Sequence, residues 1–171
     1  MITKFTCAAT LALALVAGDA VAQTPTKLGV FKDWTAYTIT LGEKKGKLCY
    51  AASQPKTSQP TGLNRDPTYF MISTRPAENI ANEINIIIGY PFKDDAKAAV
   101  EIDTQKFSLF TKEDGAWVES AADELALVGA LKRGSQMVVK GTSRRGTNTT
   151  DTYSLAGISA ALDAVAKGCA G

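Results

Sequence analysis

Residues 138–153 read VVKGTSRRGTNTTDTY, and the fold depends on whether Gly141-Thr142-Ser143-Arg144-Arg145-Gly146 is chemistry or a connection between strands. A nucleophilic serine on a strand-to-helix turn needs Gly-x-Ser-x-Gly, a base and a following helix, none of which is present in this stretch. Ser143 is flanked by arginine, which stays protonated and cannot act as a base. A phosphate-cradling loop needs Lys and then Ser or Thr after its second glycine, whereas Thr147-Asn148 follow Gly146. The simplest reading is two antiparallel strands, roughly 136–143 and 149–155, joined around Arg145-Gly146-Thr147-Asn148. Met137 and Val139 then alternate with Val138 and Lys140, Tyr153 and Leu155 share a face, and the arginines stand at the tip.

Working outward, short runs of β-branched and aromatic residues recur along the chain. They include Trp34–Ile39, Lys47–Ala52, Thr68–Thr74, Glu83–Ile88, Ala99–Ile102, Lys106–Thr111, Gly115–Val118, Ser135–Lys140 and Thr150–Leu155. Gly, Pro, Asn, Asp or Lys clusters separate them, a rhythm that predicts an all-β fold, an antiparallel β-sandwich or barrel-like single domain. Gln54–Gly62 reads as a long polar loop. Two segments read as helices. In 123–133, Leu125, Val128 and Leu131 fall at helical spacing, with acids first, bases last and Gly134 as a stop. In the C-terminal segment, Ile158, Ala161, Leu162, Val165 and Cys169 form one helical face to pack on the sheet.

Residues 1–22 read as a signal peptide. Met1–Lys4 is basic, an apolar stretch is centred on Leu11–Val16, and Ala20-Val21-Ala22 precedes the expected cleavage point. The expected mature chain is residues 23–171, one domain. No segment approaches the ~18 to 20 apolar residues of a spanning helix. Removing the leader leaves 18 basic and 16 acidic residues, a net charge of +2 that makes no case for nucleic acid as a partner. Cys49 and Cys169 remain. In an oxidising compartment they would form one bridge closing a loop of roughly 120 residues, worth at most ~4 to 5 kcal/mol by chain entropy. Two free thiols or an intermolecular bond are the alternatives.

The chain contains no histidine, which removes the usual general base, the Ser-His-Asp and Cys-His arrangements and most transition-metal sites. No catalytic residue, metal site or cofactor is therefore expected. The acidic pairs Asp94-Asp95, Glu113-Asp114 and Asp123-Glu124 read as solvated turns. Charge is nonetheless segregated: residues 94–124 hold nine acids and three bases, while 125–150 hold five bases and no acid. The plain account is two complementary surfaces of one domain. The sharper one is an anion-reading tip built from Lys140, Arg144 and Arg145, docking a lipid headgroup, a polyanionic glycan or an acidic protein face.

Several of these stretches together resemble a known family. Asp33-Trp34, Lys47-Leu-Cys-Tyr50, Tyr69–Pro76, Asn82–Asn85 with Gly89-Tyr-Pro-Phe92, Phe107–Phe110 with Gly115-Ala-Trp117, Met137–Thr147, Thr150–Leu155 and Cys169 are similar to the invasion-associated locus B proteins of α-proteobacteria. The resemblance implies a signal-bearing cell-envelope protein, linked in some pathogens to virulence through host-cell entry. It implies no catalytic activity, cofactor or mapped binding residue.

The expected function is thus a non-enzymatic periplasmic, secreted or outer-membrane-associated protein that binds an envelope or host partner. The alternative is a ligand-binding or hydrolase-inhibitor module, which a pocket lined by Trp34, Trp117 or tyrosines would favour. Plain core packing is the competing role for both tryptophans.

Overall fold

The structure, a computed structural model, describes residues 24–42 and 46–170. The expected leader, residues 1–22, lies outside them. Among the described residues eleven strands form: β1 (Thr26–Phe31), β2 (Trp34–Thr40), β3 (Lys47–Ser53), β4 (Thr57–Gln59), β5 (Tyr69–Arg75), β6 (Ile80–Ile87), β7 (Lys97–Ile102), β8 (Gln105–Lys112), β9 (Gly115–Trp117), β10 (Gln136–Thr142) and β11 (Asn148–Ser154). The helices are α1 (Ala121–Arg133) and α2 (Ile158–Cys169). The hairpin read from the opening stretch is β10 and β11, in register from Gln136↔Ser154 to Thr142↔Asn148. Met137 and Val139 point inward with Tyr153, as the alternation requires.

All eleven strands belong to one antiparallel sheet, ordered β1-β2-β3-β5-β6-β9-β8-β7-β10-β11-β4, rather than to two stacked sheets. The sheet curls until its far strands face each other but does not close into a barrel. The curl is visible in the core, where Phe70 of β5 meets the edge of Tyr153 of β11 at 6.1 Å and Trp34 of β2 at the same distance. Trp34 also donates its indole N–H to the Ser154 carbonyl at 3.0 Å, so it is a satisfied core residue. The residues between β3 and β4 bridge the two ends of the sheet, and the Lys56 N–H donates to Thr152 O at 2.7 Å.

Two strands differ from the sequence reading. The stretch read wholly as a polar loop contains β4, a three-residue edge strand paired with β11 through Ser58↔Asp151. Nothing in Thr57–Gln59 alternates; pairing to a neighbour creates the strand. β1 likewise forms by lying against β2.

The helices pack on the inner face of the sheet. α2 lies against β1, β2, β3 and β5, where the small inner side chains of Ala36, Cys49 and Ala51 leave room for it. Its buried face is the expected one, Ile158, Ala161, Leu162, Val165 and Cys169. Cys169 is bridged to Cys49 across a Cα–Cα distance of 5.9 Å.

In α1 the expected face is rotated. Leu125 is 74% exposed, and the buried residues are Leu127, Val128, Ala130 and Leu131. The face turned to the sheet starts at Glu124, whose carboxylate accepts the Ile84 N–H at 2.8 Å, beyond the end of the β6–β9 pairing. Ser120 caps the helix by accepting the Asp123 N–H at 3.1 Å. Gly134 ends the helix with an extended rather than left-handed backbone, and it is small because a Cβ there would press on Ile102 and Leu155.

Candidate functional site

The hairpin tip is a rigid turn. The Gly146 N–H donates to Ser143 O at 2.8 Å and the Ser143 N–H to Thr147 O at 2.9 Å. The Ser143 hydroxyl accepts the Thr147 N–H at 3.1 Å, so it serves the turn. Gly146 takes the left-handed backbone (φ 86°) that closing this turn requires. The Arg144 N–H donates to Pro91 O at 2.9 Å, tying the tip to the segment after β6.

Arg144 and Arg145 are both exposed, and neither forms an ion pair among the described residues. They border a groove of about 570 Å3 whose walls include Asn64, Arg65, Tyr90 and Thr149. Asp66 lines the same groove, and Glu113 and Asp114 stand with Arg144 around the adjoining hollow, so acids lie on the Arg144 side of the tip.

Lys140, expected at the same tip, lies elsewhere. It sits on the outer face of β10 and its ammonium is 2.8 Å from Glu101 of β7, which Lys106 also approaches at 3.6 Å. The Lys140 ammonium, foremost, holds the Glu101 carboxyl below its usual range. This pair joins the acid-rich segment 94–124 to the base-rich segment 125–150. It leaves two arginines at the tip instead of three cations.

The groove floor comes from residues the sequence reading passed over. Arg65, in the segment after β4, reaches the fully buried Asp151 of β11 with both terminal nitrogens, one at 3.0 Å. It also donates to Ser58 Oγ at 2.8 Å and to Ile88 O at 3.3 Å. A charge taken out of water needs this density of partners. The guanidinium also lies 6.0 Å from the centroid of the Tyr90 ring. The Tyr90 hydroxyl shares a 2.5 Å hydrogen bond with Thr149, and burial pushes it above its usual range. Gly89 (φ 79°) lets the Arg65 segment approach, since a Cβ there would collide with the Asp66 carbonyl.

One signal for this floor was available. Asp151 has the same parity as Thr149 and Tyr153 on β11, so it had to point inward with them. Arg65, just past the polar loop Gln54–Gly62, carried no such mark. Below the pair, the Tyr153 hydroxyl is buried without a hydrogen-bond partner among the described residues, and burial keeps it protonated.

Neither tryptophan lines this groove. Trp34 is core, and Trp117 stacks on Phe110 at 5.7 Å on the outer face. Among the described residues no His, Cys, Asp or Glu side chains gather as a metal-ligand cluster, and no helix is long and apolar enough to cross a membrane.

No curated protein and no solved structure matches the chain. The sequence profile described as "Invasion associated locus B (IalB) protein" matches residues 34–166, from the first residue of β2 into α2. That span carries the hairpin, the Arg65–Asp151 pair, α1 and the first part of α2, and on it the chain belongs to the invasion-associated locus B family.

Proposed function

We propose that the protein is an exported, non-enzymatic binding protein of the cell envelope that contacts an anionic group through Arg144 and Arg145. The carrying observation is the pair of exposed guanidiniums, neither in an ion pair among the described residues, held on a hydrogen-bonded turn over a groove. Arginine suits the role because its planar fork matches carboxylate and phosphate oxygens, and a rigid turn lowers the entropy lost on binding. Export is supported by the leader pattern of residues 1–22 and by the Cys49–Cys169 bridge, which persists in an oxidising compartment. The periplasm and the outer surface are both such places, and the family name associates the protein with host invasion.

The test compares wild type with the Arg144→Glu/Arg145→Glu variant. Retention is measured on phosphatidylglycerol vesicles, on a heparin matrix and on crosslinked envelope fractions, each across a salt series. Wild type should be retained by at least one at low salt and released as salt screens the contact, while the variant loses that retention. Equal retention of both proteins on all three would overturn the reading.

A further inference from the structure

A larger concavity than the arginine groove lies on the outer face of β2, β3 and β5. It is a trough of about 810 Å3, within the size range of small-molecule sites. Along β3, Cys49 and Ala51 point inward to the core under α2, so Tyr50 and Ala52 point outward into the trough. Tyr50 is the cross-strand partner of Tyr37, and their rings stack with centroids 5.1 Å apart. Tyr69 and Met71 extend the apolar surface on β5. The small cross-strand pair Thr35 and Ala52 makes the hollow between them. At one end Asp33 and Lys56 form an ion pair at 2.9 Å, and the ammonium, foremost, holds Asp33 below the usual carboxylate range.

The Tyr37–Tyr50 stack supports the β2–β3 pairing, but none of these tyrosines is needed to fill the core. The core is filled from the inner face by Trp34, Phe70 and Tyr153, and none of Tyr37, Tyr50 or Tyr69 belongs to it. The outer face of a half-solvated sheet ordinarily carries polar side chains, so an aromatic-lined hollow there marks a contact surface.

We propose that the trough binds a neutral oligosaccharide. A pyranose ring presents a C–H face, which packs on aromatic rings, and a rim of hydroxyls that both donate and accept. The trough offers the matching parts: stacked phenol rings in its wall, and at its end a carboxylate that accepts beside an ammonium that donates. The opposite charges of Asp33 and Lys56 cancel, which favours an uncharged ligand over an anion. An extended peptide fits less well, because the backbone groups of the floor are consumed in the β2–β3–β5 ladders and the peptide's own would go unpaired. The inference adds a second site to the binding role proposed above. It stands separately, since no residue of the trough lines the arginine groove.

The experiment titrates the folded, disulfide-intact protein with maltotetraose, cellotetraose, tetra-N-acetylchitotetraose and, as a competing occupant, decaproline. Binding is read by calorimetry and by amide shifts in the 15N spectrum. One saccharide should shift the amides of Thr35, Tyr37, Tyr50 and Met71, and its identity reports the glycan class. Tyr50→Ala should weaken it by about tenfold, the scale of one lost aromatic contact, and Tyr50→Phe by less. Ala52→Trp fills the hollow without disturbing the stack and should abolish binding, while the Arg144→Glu/Arg145→Glu variant should bind as wild type does. The proposal is overturned if no saccharide moves those amides, if decaproline alone does, or if saccharide affinity survives both Tyr50→Ala and Ala52→Trp.

Discussion

Arg65 grips Asp151 with both terminal nitrogens across 86 residues of sequence, and the carboxylate is fully buried while the guanidinium side chain is 10% exposed. The pair fastens the segment after β4 to β11 and thereby fixes the floor beneath the arginine tip. Removing one partner strands a buried charge, a change that costs about 3–5 kcal/mol, whereas replacing both strands none. Arg65→Met and Asp151→Asn should each destabilise strongly, and the double variant by clearly less than their sum. Urea unfolding of the four proteins in this cycle measures it, and additive losses would show that the two residues do not act as a pair.

The Cys49–Cys169 bridge joins residues 120 apart and attaches the last turn of α2 to β3. By chain entropy such a loop is worth up to about 5 kcal/mol. Cys49→Ala/Cys169→Ala should lower the denaturant midpoint by an amount that reducing agent also produces in wild type but not in the variant. A midpoint insensitive to reduction would mean the bridge contributes no stability.

The rotated face of α1 gives a contrast between two leucines two residues apart. Leu125 is exposed and Leu127 fully buried. Leu127→Ala should cost about 2–5 kcal/mol through lost burial and a cavity, and Leu125→Ala less than about 0.5 kcal/mol. Equal losses in thermal melts would mean that the helix presents a different face.

Glu124 carries a pH signature. Burial, the largest influence, raises its pKa above the ordinary 4.5, against the smaller opposing effect of the Ile84 N–H hydrogen bond. A folded pKa above the unfolded one makes the folded state the stronger proton binder. Its stabilising contribution is therefore complete below pH 4.5 and is lost as pH rises through the folded value. Glu124→Gln keeps an acceptor for Ile84 and cannot ionise, so the variant should lose this part of the pH dependence. Its melting temperature relative to wild type should rise between pH 4 and pH 7; a constant difference across that range would rule the mechanism out.

Much of the fold is written in local pattern. Met137 and Val139 against Val138 and Lys140 mark β10 and its buried side, because a pleated strand turns successive side chains to opposite faces. The Ile158–Cys169 periodicity marks α2 and its buried stripe for the corresponding helical reason, and it places Cys169 where it reaches Cys49. α1 was legible as a helix, and Val128 and Leu131 of its expected face are buried, but Leu125 is not. Leu125, Leu127, Val128 and Leu131 surround more of the cylinder than one sheet can cover, and the anchoring of Glu124 at Ile84 selects the face.

The candidate site was less legible. Arg144 and Arg145 stand at the expected tip, whereas Lys140 is drawn to Glu101, a partner 39 residues away that no local pattern names. Arg65 falls in none of the stretches that the sequence marks, and only the curl of the sheet brings Asp151 against it. What the sequence by itself determined is the set of strands whose side chains alternate, the C-terminal helix with its sulfur and the two arginines of the turn, each a consequence of neighbours within a few residues. Only the tertiary structure decided the β4 pairing, the single curled sheet, the buried ion pair and the tyrosine trough, because each depends on groups brought together by the path of the chain rather than by spacing along it.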